Sequence, residues 1–286
     1  MTALILDGSA TAKTIRAEIK AAVEDLVATR AVTPHLAVIL VGEDPASVTY
    51  VNMKKKACLA AGMISTVHEL PADSTQADIL RIIDRLNADP GVHGILVQHP
   101  VPKQLDELEI LARVGLEKDV DGISPESLGG LITGAPLFVP ATPLGIIELL
   151  DRYSIPIEGK HAVVVGRSII LGKPVALLLL NRHATVTVCH TRTRDLAAMT
   201  RQGDILVVAA GKAEMVTGDM IKEGAVVIDA GYNKVEGRKG DVGDVHFESA
   251  SERASAITPV PGGVGPMTIA MLLSNTLRAA QESAKK

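Results

Sequence analysis

Tryptophan is absent from this chain, and aromatic residues make up only 2% of it. A protein so poor in rings lacks the stacking platforms that hold bases of single-stranded nucleic acid. Its core must be packed from Leu, Ile, Val and Ala. Cysteine is nearly as scarce. Cys58 and Cys189 stand alone and far apart in sequence, which argues against a disulfide framework and for a reducing, cytoplasmic compartment. Positive charge is not in excess. The formal net charge is -4, so neither nucleic acid nor an anionic membrane surface is indicated as a partner. Apolar runs are strand-sized or fall on amphipathic helices, short of a membrane span. The N-terminus shows no basic region followed by a long apolar run, and no signal peptide is read there. There is no H-E-x-x-H, no paired Cys/His spacing, no G-x-S-x-G and no Walker loop. No metal site is expected, and an NTPase or a serine-elbow hydrolase is disfavoured.

What is present suffices for about two domains. The 286 residues are 47% hydrophobic, enough to bury a sizeable core. The first part alternates strand-like and helix-like pieces: a helical stripe over 13–30, an apolar run over 36–41, a helix from Asp44-Pro45 to Gly62, a strand over 67–70, a helix over 74–88 and a strand over 94–98. This is βαβ organisation, which implies a mostly parallel sheet. Residues 115–142 read as irregular. A second unit then shows strands at 162–165, 185–188, 205–209 and 225–228, with a helix over 173–181 after a glycine-bounded loop. That pattern predicts a Rossmann-type sheet. A last helix from Met267 follows a Gly/Pro-rich segment.

Three stretches carry chemistry. Tyr50 and Lys54 are four residues apart on the helix after Gly42, so a phenol and an amine share one face. Of Lys54, Lys55 and Lys56 only one shares that face. An amine held among cations and partly desolvated deprotonates more easily and can act as a base. Gln98, at a strand end, and Asp121, in a loop, are candidates to orient it. The second stretch is Gly166-Arg167-Ser168-Ile169-Ile170-Leu171-Gly172. Its glycines permit a tight turn against a phosphate, and the helix that follows offers N–H groups to an anion; a bare turn is the alternative. The next strand ends in His190-Thr191-Arg192-Thr193-Arg194, where an NAD site would carry an acidic residue. Guanidinium groups suit a 2′-phosphate, so NADP is favoured over NAD. The third is Thr258-Pro259-Val260-Pro261-Gly262-Gly263-Val264-Gly265-Pro266-Met267-Thr268. It is either a bare turn or a rigid surface offering backbone groups to a flat ligand.

In these segments, with Gly94-Ile95-Leu96-Val97-Gln98 and Lys118-Asp119-Val120-Asp121-Gly122 between them, the chain resembles the bifunctional methylenetetrahydrofolate dehydrogenase/cyclohydrolase family of the bacterial FolD type. The likeness spans essentially the whole sequence. It implies an α/β fold of two domains with a cleft between them: an N-terminal α/β catalytic, folate-binding domain (1–140 with a returning C-terminal helix, 267–286) and a Rossmann-type NADP-binding domain (141–266). It implies oxidation of 5,10-methylenetetrahydrofolate with NADP, then hydrolysis of the methenyl product to 10-formyltetrahydrofolate. Lys54 would be the central catalytic residue, tuned by Gln98, with Asp121 holding the pterin and Tyr50 stacking on or orienting the substrate. Tyr50, Val51, Asn52, Met53, Lys54, Val97, Gln98, His99, Asp121, Pro261, Gly262, Gly263, Val264 and Gly265 would line the folate pocket. Gly166, Arg167, Ser168, Thr191 and Tyr232 would contact NADP. A homodimer is implied. Departures from the common pattern fall at His99, Gly130, Ala141, Ile170-Leu171, Ala213-Glu214 and Tyr232. None removes a catalytic group, and those at His99 and Tyr232 lie near the chemistry. They leave two other readings open: a dehydrogenase without hydrolysis, or a non-catalytic NADP- or folate-binding module.

Overall fold

The computed structural model describes residues 3–237 and 240–285. In chain order the first half runs β1 (Leu4–Ile5), α1 (Gly8–Arg30), β2 (His35–Val41), α2 (Pro45–Ala60), β3 (Ile64–Leu70), α3 (Gln76–Ala88), β4 (Gly94–Val97), α4 (Glu107–Arg113) and α5 (Pro125–Thr133). The second half runs α6 (Ala141–Arg152), β5 (His161–Val165), α7 (Gly172–Asn181), β6 (Thr185–Cys189), α8 (Leu196–Thr200), β7 (Ile205–Val208), β8 (Val226–Asp229), β9 (Asn233–Lys234), β10 (Asp241–Val242), α9 (Phe247–Ser251), β11 (Ala256–Ile257) and α10 (Val264–Ser283). Among the described residues, no helix is long and apolar enough to cross a membrane.

The chain divides into two compact units. One holds the segment up to Lys13 and Thr142–Thr268; the other holds Thr14–Ala141 and the residues from Ile269 onward. The sequence reading assigns all of 1–140 to the N-terminal domain, whereas the described residues up to Lys13 group with Thr142–Thr268. Leu4 and Ile5 pair in parallel with Ala256 and Ile257, and the Leu6 N–H reaches the Ile257 carbonyl at 2.8 Å. Gly8 fits only because it has no side chain: a Cβ there would lie 1.8 Å from the Gly263 carbonyl oxygen. A two-residue edge strand carries no periodicity to read, and its partner lies about 250 residues away in sequence.

The first unit is built on a parallel six-stranded sheet in the order β1-β11-β8-β7-β5-β6. Its central strands are buried on both faces, which is why Ala162–Val165 and Ile205–Val208 read as unbroken apolar runs rather than alternating ones. From β5 the chain goes outward to the edge strand β6, then returns to place β7 on the other side of β5. The order therefore reverses between β5 and β7, the point where open α/β sheets bind ligands beyond their strand C-termini.

The second unit has a parallel three-stranded sheet, β3-β2-β4. The amphipathic face of α3 (Ile79, Ile83 and Leu86) packs on it together with Ile110 and Leu111 of α4. Among the described residues of this unit, two helices fall in stretches that the sequence reading leaves unassigned or irregular. One is α4. The other is α5, which opens where Ser124 caps the Ser127 N–H and Pro125 takes the first turn, a start signal present in the sequence. The C-terminal part of α10 is tied into this unit by Asn275, whose amide donates to the carbonyls of Val120 (2.8 Å) and Val139 (3.0 Å).

Candidate active site and dinucleotide loop

In the second unit, Gly42 (φ +84°) turns the chain after β2. Asp44 then caps α2 by accepting from the Ser47 N–H at 2.8 Å. This launches α2 from the C-terminal end of the central strand. Beside it, the Gln98 N–H donates to the Ile39 carbonyl at 2.9 Å, which holds Gln98 just past the end of β4. The two side chains meet. Lys54 Nζ donates to Gln98 Oε1 at 3.0 Å, and Gln98 Nε2 donates to the His99 carbonyl at 2.7 Å. The second bond sets the amide orientation, because only the carbonyl end is then left to face the lysine.

Burial pulls the Lys54 pKa below the usual lysine range, with Asp121 and Cys58 opposing. Burial pushes the Asp121 carboxyl upward and Asp119 adds to the rise, while Lys54 and His99 oppose it. Desolvation favours the uncharged form of both groups. A neutral amide as the direct partner of Lys54 does not restore the charge as a carboxylate would.

Asp121 owes its place to a residue that sequence reasoning passed over. Asp119 is buried; it accepts from the N–H of Gly122 (3.1 Å) and Ser124 (3.0 Å) and from the Ser127 hydroxyl (2.6 Å). These bonds close the turn that carries Asp121. Gly122 completes it at φ +66°, where a Cβ would meet the Val139 carbonyl carbon at 2.7 Å. Its only sequence signal was the Asp-x-x-Gly turn spacing. His99 Nδ1 pairs with Glu107 Oε1 at 2.6 Å, and its Nε2 is buried without a hydrogen-bond partner among the described residues. Tyr50, Asn52 and Met53 are exposed along α2, whereas Val51 and Val97 face the core. The two valines thus have only backbone groups to offer a ligand.

In the first unit, the loop after β5 folds back on the start of α7. Gly166 (φ +130°) lies so close to Ala209 that a Cβ would sit 2.2 Å from its carbonyl oxygen. The helix end differs from the sequence expectation. The N–H groups of Leu171 and Gly172 point at the Ser168 hydroxyl (3.2 and 3.3 Å), that of Lys173 goes to the Ser168 carbonyl, and residue 174 is proline. The first turn of α7 therefore has few free donors. The N–H groups of Arg167, Ser168, Ile169 and Ile170 make no hydrogen bond among the described residues. All four residues are exposed, so the free donors sit on the loop instead. Because Val165 pairs with Cys189, Arg167 and Thr191 leave neighbouring strand ends. Arg167, Arg192 and Arg194 are exposed. This donor set fits a phosphorylated dinucleotide. Tyr232, beyond the end of β8, is exposed and its hydroxyl donates to Asp241. Pro261–Gly265 also lie in this unit, where Gly262 accepts from the Ser9 N–H at 2.8 Å. One mixed His/Glu group gathers here that no sequence spacing showed: ligand atoms of Glu214, His246 and Glu248 lie within 4.8 Å of one another.

Comparison with known proteins also yields two parts, divided along the sequence. Residues 6–121 match the model of the tetrahydrofolate dehydrogenase/cyclohydrolase catalytic domain, and residues 140–284 match that of the NAD(P)-binding domain. The bifunctional protein FolD of Moorella thermoacetica is 59% identical over 281 residues, covering 98% of this chain and 100% of that one. The crystal structure of the bifunctional FolD methylenetetrahydrofolate dehydrogenase/cyclohydrolase from Campylobacter jejuni superposes with a TM-score of 0.95 at 48% identity, over 97% of this chain and 98% of that one. The Trypanosoma brucei enzyme, solved with NADP cofactor and an inhibitor, gives 0.95 at 42% identity over all of both chains. Matched in both units and along its full length, this chain belongs to the tetrahydrofolate dehydrogenase/cyclohydrolase family.

Proposed function

We propose that this protein oxidises 5,10-methylenetetrahydrofolate to the methenyl form with NADP and then hydrolyses that product to 10-formyltetrahydrofolate. The observation that carries the reading is the half-buried Lys54 amine, bonded to a neutral amide at 3.0 Å and lowered in pKa by desolvation. Hydride departure leaves a cationic, iminium-like carbon between N5 and N10. An ammonium beside it would oppose that charge; an uncharged amine does not. In the hydrolytic stage, water adds to the same carbon and loses a proton. Lys54 is the base that receives it, and one carbon–nitrogen bond breaks as the formyl group forms. Gln98 keeps the amine aimed, Asp121 holds the pterin edge, and Tyr50 lies along the substrate from the exposed face of α2. His99, Asn52, Met53, the backbone at Val51 and Val97, and Pro261–Gly265 complete the folate-binding set.

NADP, when bound, supplies the acceptor for the hydride. Gly166, Arg167, Ser168 and Thr191 hold its phosphorylated end, Arg167 selecting the 2′-phosphate, and Tyr232 contacts it from beyond β8. The Trypanosoma brucei relative, solved with NADP, supports the cofactor choice. A cytoplasmic homodimer completes this reading. Buried, unpaired Cys58 and Cys189 suit a reducing compartment, and the edge strand β6, with Val188 40% exposed, is a surface a second copy can cover.

Lys54→Met is the test. We expect hydrolysis of methenyltetrahydrofolate to fall by about 10²- to 10⁴-fold, followed spectroscopically, with NADPH formation measured in parallel. Hydrolysis at the wild-type rate in that variant ends the role given to Lys54.

A further inference from the structure

Two loops border the point where the six-stranded sheet reverses order. One is the Gly166 turn after β5. The other is Ala209–Lys212 after β7, against whose Ala209 carbonyl Gly166 is packed. The second loop is exposed at Ala210, Gly211 and Lys212, yet its backbone donors are turned inward onto one fully buried carboxylate. Asp244 Oδ2 accepts from the N–H of Ala210 (2.6 Å) and Gly211 (2.8 Å), and Oδ1 accepts from the Lys212 N–H (2.9 Å) and from the Asn233 amide (2.8 Å). Three consecutive N–H groups around an anion form a nest. Here the anion is part of the protein.

Asp244 is itself held from below. Asp229, at the end of β8, accepts from the N–H of Asp244 (3.0 Å), Val245 (2.9 Å) and Gly231 (2.8 Å). The fit leaves no room for side chains: a Cβ on Gly243 would lie 1.8 Å from Asp229 Oδ2, and one on Gly231 2.4 Å from Asp244 Oδ1. The chain of contacts therefore runs from β8 through Asp229 and Asp244 to one lip of the crevice. Removing Asp244 would leave three backbone donors without acceptors in a loop otherwise anchored to the sheet by the Ala209 N–H on Val165 (2.8 Å).

We propose that Asp244 is a positioning residue for NADP, acting by fixing the 210–212 lip of the dinucleotide crevice. Fully buried, it acts through the loop backbone it holds. The inference rests on the NADP-dependent reading above and adds to it a residue that no motif marked. Its consequence is selective. Oxidation needs the cofactor and hydrolysis does not, so a loosened lip damages the first step and spares the second.

The experiment uses the full-length protein. Asp244→Asn keeps the shape but places an amide donor against the Lys212 N–H and the Asn233 amide. We expect the KM for NADP in the dehydrogenase assay to rise at least tenfold and NADPH binding, followed by its fluorescence, to weaken in parallel. The folate KM and methenyltetrahydrofolate hydrolysis should stay within twofold of wild type. Asn233→Ala removes one donor to Asp244 and should move the NADP KM the same way by about threefold; it decides the question if Asp244→Asn does not fold. An unchanged NADP KM, or an equal fall of both activities in the variants, overturns the proposal. Failure of the wild-type protein to bind NADPH would instead sink the NADP-dependent reading, and the proposal with it.

Discussion

Gln98→Glu is the sharpest probe of the lysine site, because it changes charge while keeping size. Gln98 Oε1 lies 3.0 Å from Lys54 Nζ. Two unit charges at that distance attract by about 5 kcal/mol at an effective dielectric of about 20. The opposing term is the second carboxylate oxygen, which would face the His99 carbonyl where the Gln98 amide now donates at 2.7 Å. Losing that hydrogen bond and desolvating the new oxygen costs about 1–3 kcal/mol, so the ion pair wins and the glutamate stays charged beside an ammonium. The Lys54 pKa then climbs back, against the desolvation that now lowers it. Even a third of the attraction exceeds the roughly 1.4 kcal/mol that corresponds to a factor of ten. We expect methenyltetrahydrofolate hydrolysis near neutral pH to fall at least tenfold. The alkaline limb of the pH–rate profile should show recovery, its midpoint moved to higher pH by one unit or more. Gln98→Met, which removes the hydrogen bond without adding charge, should leave that midpoint at or below the wild-type value. A Gln98→Glu profile that overlays the wild type would refute the idea that Lys54 works uncharged.

Three further outcomes are expected. Asp229 is pushed up to about 6 by burial, against an ordinary value of 3.8; the charged form is thus penalised in the fold by about 3 kcal/mol above pH 6, and the penalty is relieved as pH falls through 6. This group alone should add about 1 kcal/mol of stability between pH 7 and pH 5, and urea unfolding of wild type and Asp229→Asn at both pH values should differ by that increment; equal changes would remove the assignment. Arg167→Ala should lower the NADP-over-NAD preference by about tenfold, read as the ratio of kcat/KM for the two cofactors; an untouched ratio would show that the 2′-phosphate is held elsewhere. Asn275→Ala strips the partner from two carbonyls, those of Val120 and Val139, and should cost about 2 kcal/mol in urea unfolding, whereas a loss below about 0.5 kcal/mol would mean that water replaces the amide.

The elements with strong local patterns were legible before any coordinates. Buried strands such as Leu36–Val41 and Ala162–Val165 announce themselves as apolar runs, and α2 and α3 carry their caps in sequence. The Tyr50/Lys54 spacing and the basic segment after β6 point to two candidate sites for the same reason: the chemistry lies within a few residues. What escaped was non-local. The strand at Leu4–Ile5 has no pattern of its own and gains one only from Ala256–Ile257. The α7 terminus promised free donors by position, but Ser168 turns back to take two of them, a loop conformation that spacing does not encode. Asp119 reads only as part of a turn signal with Gly122, since Asp and Gly are common in turns, and no local pattern marks Asp229 or Asp244.

Those three aspartates show one solution used twice. In the second unit, a buried Asp119 accepts from two backbone N–H groups and a hydroxyl, and so shapes the turn that presents Asp121. In the first unit, a buried Asp229 accepts from three N–H groups and so places Asp244, which accepts from three more along the crevice loop. Irregular backbone beyond a parallel sheet has donors that no neighbouring strand can satisfy, and burying them unpaired is costly. Water would satisfy them but leave the loop mobile. A carboxylate has about four acceptor positions on a short stem, so one side chain can replace several waters and fix the loop. The cost is a desolvated charge, offset in part by charge-assisted hydrogen bonds; at Asp229 the desolvation is the larger of the two. On this reasoning, the aspartates behind the site matter for its geometry as much as those within it, and Asn at Asp119 should shift the folate KM as Asn at Asp244 shifts that for NADP.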